Sequence, residues 1–190
     1  MKKWFYGIIL IICLCVGGFC AYQAWKIYNE DNEIELQTDK IKKDYVEKKS
    51  ENGEQILNPD WNALKAINPD IVGWIYVPDC AISYPVVQGT NNSFYLDHTI
   101  DKGYNYMGSA FLDCNTNSDF SDDNNIIYGH SVQGGGMFTL LKNFSSKSFF
   151  DSHTAFYLLT PDQNYKCNVF CYSKSDNESN FYVKDFGEER

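Results

Sequence analysis

The apolar and polar residues divide the chain into an apolar N-terminal run, a polar segment and a series of short strand-like runs. Residues 5–21 are apolar apart from Tyr6 and glycines. Extended to residues 4–25, this run reaches the roughly 20 residues that a helix needs to cross a bilayer. Residues 34–50 have apolar positions at 34, 41 and 45, with sparse support between them. That spacing predicts a weakly amphipathic helical stalk.

The rest of the chain reads as short strands interrupted by shorter helices. Asn58-Pro59-Asp60 marks a helix start, because Trp61, Leu64 and Ile67 follow at helical spacing. The predicted strands are 71–77, 81–87, 109–113, 125–129, 154–159 and 165–173, and the predicted short helices are 92–97, 136–143 and 147–152. Many short strands with small helices favour a mainly β fold that closes as a barrel. The predicted units are a tail at 1–3, an anchor at 4–25, a stalk or linker at 26–57 and a domain at 58–190.

The residues that flank the apolar run predict its orientation. Lys2 and Lys3 precede it, acidic residues follow it, and Trp4 and Trp25 stand at its two ends. The positive-inside rule therefore predicts a single-pass cell-membrane protein with a cytoplasmic N-terminus and an extracellular domain. The alternative is a cleaved signal peptide, whose apolar core is usually shorter and ends in small residues. The bulky Phe19 before the cysteine at position 20 argues against cleavage there.

Charge and metal-ligand spacing exclude several classes of function. The net charge of −9 argues against nucleic acid as a partner, because phosphate binding needs a basic surface. The three histidines form no H-x-x-x-H or H-E-x-x-H pair, so we expect neither a metal site nor a cofactor. Among the seven cysteines, the extracellular ones show no disulfide framework, and buried free thiols are the preferred interpretation: Cys80, Cys114, Cys167 and Cys171.

One histidine stands where a strand meets a loop. The run N-I-I-Y-G-H ends at His130, glycines follow at 134–136, and a helical pattern begins at 137. Strand ends are where folds present catalytic side chains. A lone histidine is nevertheless more often structural than catalytic, and His98 and His153 lie beside polar turn residues without an evident role.

At this motif the sequence resembles the class B sortases, the membrane-anchored cysteine transpeptidases of Gram-positive bacteria. Further segments resemble that family in the expected order: I-V-G-W-I at 71–75, I-S-Y-P-V-V-Q-G at 82–89, N-S-F-Y-L at 92–96 and G-S-A-F-L-D at 108–113. The resemblance covers residues 58–186. One such motif is weak support, but an ordered set is specific. It implies a sortase-like closed β-barrel with short helices behind a transmembrane helix and a helical stalk.

The resemblance also implies a reaction and its site. In sortases a thiolate attacks the threonine carbonyl of a sorting signal, and a histidine donates a proton to the leaving amine. His130 matches that histidine, and an unperturbed imidazole pKa near 6.5 suits both proton steps. Matches to the substrate side are Asn92, Leu96, Tyr128, Phe181 and Tyr182, although Leu96 and Tyr128 could equally be core packing. The implied partners are sorting-signal peptides, a peptidoglycan amine or its lipid-linked precursor, and the membrane through residues 4–25.

The sequence departs from the family in one respect. Sortases act through a cysteine in a T-L-x-T-C strand and an arginine on the next strand, but no such motif occurs here and Arg190 is the only arginine. We therefore expect a class B sortase fragment with an incomplete barrel, inactive alone. The stretch 165–172 resembles the strand before the nucleophile loop, and 181–186 resembles the start of that loop. The alternative is a non-catalytic pseudo-sortase that binds sorting peptides.

Overall fold

A computed structural model describes residues 2–51, 54–131 and 136–174 of the chain. Helix α1 (Lys2–Tyr45) is followed by a hairpin of β1 (Val46–Glu51) and β2 (Glu54–Pro59), and then by α2 (Trp61–Ile67). The remaining strands are β3 (Ile71–Tyr76), β4 (Ser83–Val87), β5 (Ala110–Leu112), β6 (Ile127–Tyr128), β7 (Ala155–Leu159) and β8 (Asn164–Asn168). Two 3₁₀ helices, Phe94–Leu96 and Met137–Ser145, and α3 (Lys147–Ser152) lie between them.

Six strands form one curled sheet in the order β6-β5-β4-β3-β7-β8. All pairs are antiparallel except β4 with β5, so β6 runs in the same direction as β3. The sheet has the form of a half-barrel with β6 and β8 at its edges. This agrees with the predicted mainly β, barrel-like fold with short helices.

The central strands are held by apolar side chains that are almost fully buried. Trp74 of β3 has no exposed surface, and its indole N–H donates to the Ser83 hydroxyl at 3.0 Å. Burying a large side chain of this kind contributes about 2–3 kcal/mol, and the hydrogen bond removes the cost of burying the polar N–H. Helix α2 enters this core through Leu64, after Asp60 caps its start by accepting the Ala63 N–H at 3.1 Å.

The prediction for the stalk was partly wrong. A helix was expected to continue to residue 50, but α1 ends at Tyr45 and residues 46–51 form β1. Strands β1 and β2 pair in register from Glu51 with Glu54 to Val46 with Pro59. Buried Val46 and Leu57 explain the change, because pairing of β1 with β2 places both in the cluster that includes Ile41 of α1. The domain boundary at residue 58 stays a prediction.

The first half of α1 differs from its second half. It is long and apolar enough to cross a membrane. The most apolar stretch has a mean hydropathy of 2.3, and none of that stretch is buried in the structure. From Ile34 onward the helix packs on the sheet, with Ile34, Thr38 and Ile41 buried. The part of the predicted stalk at 34–45 is therefore a helix docked on the domain.

Candidate active site

His130 lies where β6 has ended and the chain leaves the sheet. Its imidazole is half-buried, and its Nε2 lies 2.8 Å from the main-chain oxygen of Leu96. A carbonyl oxygen can only accept, so Nε2 carries the proton in this contact. In the neutral ring the lone pair is then on Nδ1, which is the nitrogen that can take a proton from a reacting group.

The position of the Leu96 carbonyl depends on a glycine in the chain that packs behind it. Gly108 has φ +58°, and a Cβ there would lie 2.3 Å from the Tyr95 oxygen and 2.5 Å from the Leu96 oxygen. The next amide, that of Ser109, donates to the Tyr95 oxygen at 2.9 Å. Only glycine tolerates both the conformation and the approach. This contact fixes the 3₁₀ helix Phe94–Leu96 against the start of β5.

The residues on either side of His130 are held by close packing and by backbone bonds. A Cβ on Gly129 would meet the Phe138 ring at 2.5 Å, and the Phe138 amide donates to the His130 oxygen at 3.1 Å. The glycine loop expected at 134–136 is described only at Gly136, which has φ +79° and precedes the 3₁₀ helix at 137–145. The Met137 amide donates to the Tyr84 hydroxyl at 2.9 Å.

Asn92 and Tyr128 meet at a buried carboxylate. One oxygen of Asp113, a residue only 3% exposed, accepts from the Asn92 side-chain amide and from the Tyr128 hydroxyl, each at 2.9 Å. Its other oxygen accepts from the Asn115 backbone and side chain at 2.9 and 3.0 Å. The Asn92 oxygen in turn accepts the Cys114 amide at 2.8 Å. These residues form the Asp113 network: Asn92, Asp113, Cys114, Asn115 and Tyr128.

Each of the other two histidines packs against the short helix that precedes it in the chain. His98 stacks on Phe94 with ring centroids 4.1 Å apart, and its Nδ1 lies 2.7 Å from Asp97 and 2.9 Å from the Phe94 oxygen. His153 stacks on Phe149 at 3.8 Å. Both contacts are local packing contacts, and that neither histidine takes part in the reaction stays a prediction.

The structure brings some of the predicted residues together. His130 contacts Leu96 through the backbone, while Asn92 and Tyr128 share Asp113; Phe181 and Tyr182 lie outside the described residues. Sequence reasoning missed Asp113 and Gly108. The signal for Asp113 was a charged residue at the end of the apolar run 109–112, and the signal for Gly108 was a glycine directly before that run.

The cysteines and carboxylates suggest no metal chemistry in the described ranges. No group of three or more His, Cys, Asp or Glu side chains that could hold a metal occurs in residues 2–51, 54–131 and 136–174. The cysteines there are free thiols. The expectation of buried thiols was wrong for Cys171, which is exposed, while Cys80, Cys114 and Cys167 are half-buried. Burial raises the pKa of the Cys167 thiol, which makes it a poor nucleophile.

Comparisons with known proteins identify close relatives. No family model matches the chain. It is 28% identical to Sortase B of Staphylococcus aureus over 179 residues, which cover 94% of this chain and 72% of that protein. It is 30% identical to Sortase B of Listeria monocytogenes over 185 residues, which cover 93% of this chain and 74% of that protein.

Solved structures give the same result. A Staphylococcus aureus sortase B–substrate complex matches with a TM-score of 0.70 and 27% identity, over 83% of this chain and 72% of that chain. Sortase B from B. anthracis in complex with AAEK1 matches with a TM-score of 0.66 and 28% identity, over 80% of this chain and 75% of that chain.

Proposed function

This chain belongs to the class B sortases, and we propose that it serves the reaction of that family: cleavage of a sorting signal in surface proteins and their attachment to the cell wall by cysteine transpeptidation. The observation that carries this function is the relationship to Sortase B over 93% of the chain. No specific observation favours the alternative of a non-catalytic pseudo-sortase.

His130 is the proton-transfer residue in this proposal. Cleavage of a peptide bond by a thiolate needs a proton for the leaving amine, and the acyl-enzyme later needs a base for the incoming amine. The contact between Nε2 and the Leu96 oxygen supports this role, because it orients the ring and leaves Nδ1 for proton exchange. The imidazole is half-exposed, so a substrate can reach it.

The nucleophile and the arginine are a separate part of the proposal. The 190 residues contain neither a T-L-x-T-C motif nor an arginine other than Arg190. Cys114 follows β5 and matches no nucleophile of the family. We therefore expect residues 1–190 alone to turn over no peptide.

The substrate side of the site has two parts. Leu96 is 44% exposed, and its carbonyl is bonded to His130, so its side chain is available to a peptide that approaches the imidazole. Asn92 and Tyr128 instead hydrogen-bond to Asp113 and support the site through that residue. Phe181 and Tyr182 complete the proposed contacts on the strength of the family match. The incoming amine belongs to peptidoglycan or to its lipid-linked precursor.

The cellular location follows from the N-terminal run. We assign residues 4–25 to a single membrane span, with residues 1–3 in the cytoplasm, the segment 26–57 as stalk or linker and the domain from 58 onward outside. Protease treatment of intact cells should remove the domain and leave a small membrane stub. A mature protein that begins after Cys20 would contradict the anchor.

A peptide-transfer assay tests the function. The protein is prepared with the C-terminal strands of the Staphylococcus aureus relative joined after residue 190, and is incubated with a quenched sorting peptide of the N-P-x-T or L-P-x-T type. We expect cleavage and transfer to an added amine, no reaction with a scrambled peptide, and none with residues 1–190 alone. Absence of cleavage by the completed protein would refute the proposed function.

A further inference from the structure

The two ends of the sheet can be distinguished along the chain. Strand β3 begins directly after α2 and ends at the turn 77–82, where the Val77 amide donates to the Ile82 oxygen at 2.9 Å. We call the end of the sheet where β3 begins the α2 end. The opposite end, at the turn 77–82 between β3 and β4, is the hairpin end. Because β6 runs in the same direction as β3, His130 leaves the sheet toward the hairpin end.

Helix α1 crosses the sheet from the hairpin end to the α2 end. The Glu30 oxygen accepts the side-chain amide of Asn105 at 3.0 Å. Five residues later, a Cβ on Gly136 would lie 2.9 Å from the Glu35 carboxylate, so the helix passes the chain that follows His130. Further along, Ile41 belongs to the buried cluster that includes Ile71, at the start of β3, and Val87, at the end of β4.

The rise of the helix gives the distance of each contact from the end of the apolar run, measured along the helix axis. We call this distance the height of the contact. At 1.5 Å per residue from position 25, Glu30 lies about 8 Å, Glu35 about 15 Å and Tyr45 about 30 Å along the axis. The Tyr45 oxygen accepts the Asp60 amide at 2.8 Å, so α2 is at the greatest of these heights. The turn after His130 is at roughly half of it.

The exposed apolar side chains gather at the same end. Outside α1, the large hydrophobic residues that the described ranges leave most exposed are Leu96 at 44%, Tyr104 at 68% and Phe170 at 91%. Leu96 binds His130, and Tyr104 precedes the asparagine that contacts Glu30. Phe170 follows β8. The last residue of β8 pairs with the first residue of β7, and this pair lies at the hairpin end. Apolar bodies with polar surroundings suit the interfacial layer of a bilayer.

We propose that the docked half of α1 holds the domain so that its hairpin end, with His130, faces the bilayer. In this orientation Tyr104 and Phe170 contact the interfacial lipid layer. This rests on the proposed membrane anchor. The site then works about 15 Å from the end of the span, measured along the helix. The acidic residues near the span, Glu30 and Glu33 among them, make the contact apolar rather than electrostatic, so salt should not weaken it.

Quenching by lipids measures this orientation directly. The full chain is placed in lipid nanodiscs, with a fluorophore attached through p-azidophenylalanine at position 104 or at position 62. Both native residues, Tyr104 and Asn62, are exposed, and Asn62 lies on α2. The nanodiscs contain lipids with nitroxide headgroups. We expect strong quenching of the label at 104, little quenching at 62, and no change in this difference between low and high salt.

A second variant moves the domain away from the bilayer with little rotation. Seven residues inserted into α1 after position 28 add about 10 Å and rotate the domain by only about 20°. The label at 104 should then lose most of its quenching, while the label at 62 stays unquenched. Equal quenching at both positions, stronger quenching at 62, or no effect of the insertion would overturn the orientation. The peptide-transfer assay in detergent is independent of this result, so failure of the function is distinguishable.

Discussion

The Asp113 network and His130 lie close in sequence, but they differ in burial and in the hydrogen bonds that fix them. Asp113 is almost fully buried and accepts four hydrogen bonds from three residues. The His130 ring is half-exposed, and within the described part of the chain it makes one hydrogen bond, to a backbone oxygen. A buried, fully bonded cluster is rigid and costly to break. A singly bonded imidazole can change partners, as proton transfer requires.

This difference separates residues that the family resemblance places together. Asn92 and Tyr128 were matched to the substrate side on the same grounds as His130. From these contacts we expect Asn92 and Tyr128 to act through the shape of the domain, and His130 to act on the substrate. Changes in the network should therefore affect the free energy of unfolding, and changes at His130 should affect turnover.

Replacing the central carboxylate should have the largest effect on stability. Asp113→Ala removes the acceptor of the half-buried donors of Asn92 and Tyr128, and we expect a loss of about 3 kcal/mol in the free energy of unfolding. Asp113→Asn keeps one acceptor oxygen and should lose about 1 kcal/mol. Urea unfolding of the full chain in detergent micelles measures both. Equal losses below about 0.5 kcal/mol would show that the network is not structural.

Gly108→Ala should affect both regions. The left-handed φ and the collision with the Tyr95 and Leu96 oxygens together should cost about 2 kcal/mol. Because the Leu96 oxygen must move, the NMR signals of the His130 ring should shift as well. Gly103→Ala, where the nearest atoms to a new Cβ are side-chain oxygens at 3.3 Å, is the matched control and should leave those signals in place.

Tyr128→Phe removes one bond of the network and keeps the ring. The stacking on Phe111, with centroids 5.0 Å apart, is preserved, so we expect a loss of about 1 kcal/mol in the same unfolding experiment. Tyr104→Phe alters an exposed hydroxyl and serves as control. A loss above 3 kcal/mol would mean that the phenol has a larger role than one hydrogen bond.

The smallest expected effect concerns acid stability at Asp70. Burial raises the pKa of its carboxyl, but hydrogen bonds from Lys102 and Tyr95 outweigh burial, and the net pKa lies below the ordinary value. A lowered folded pKa contributes stability above the unfolded pKa, near 3.9, and that stability is lost as the pH falls through the folded value. Asp70→Asn should therefore lower Tm at pH 6 and converge with the native protein near pH 2. A constant gap would contradict this account.

Local pattern predicted much of the fold. The α2 start at Asp60, the strand order along the chain and the placement of His130 at a strand end follow from side-chain spacing and turn residues. The β1–β2 hairpin does not, because V-E-K-K-S-E has no apolar alternation and Lys and Glu are good helix formers. Its stability comes from contacts of Val46 and Leu57 with distant residues.

The site was predicted less completely for a similar reason. The sequence shows which side chains can carry chemistry, and so it indicated His130. It does not show that a carbonyl 34 residues away orients the ring, or that Gly108 lets that carbonyl approach. Asp113 looked like the end of a strand, and its three partners come from two other segments and its own turn.

Turnover of histidine variants tests the central claim, that His130 transfers the proton and has little part in folding. The measurement uses the protein completed with T-L-x-T-C and arginine strands, and compares His130→Ala with His98→Ala and His153→Ala. General acid–base assistance is worth about 10² to 10⁴ in rate, so His130→Ala should lose at least about 100-fold with thermal unfolding nearly unchanged. The other two should keep near-normal turnover. Near-normal turnover of His130→Ala, or a loss fully explained by unfolding, would contradict the claim.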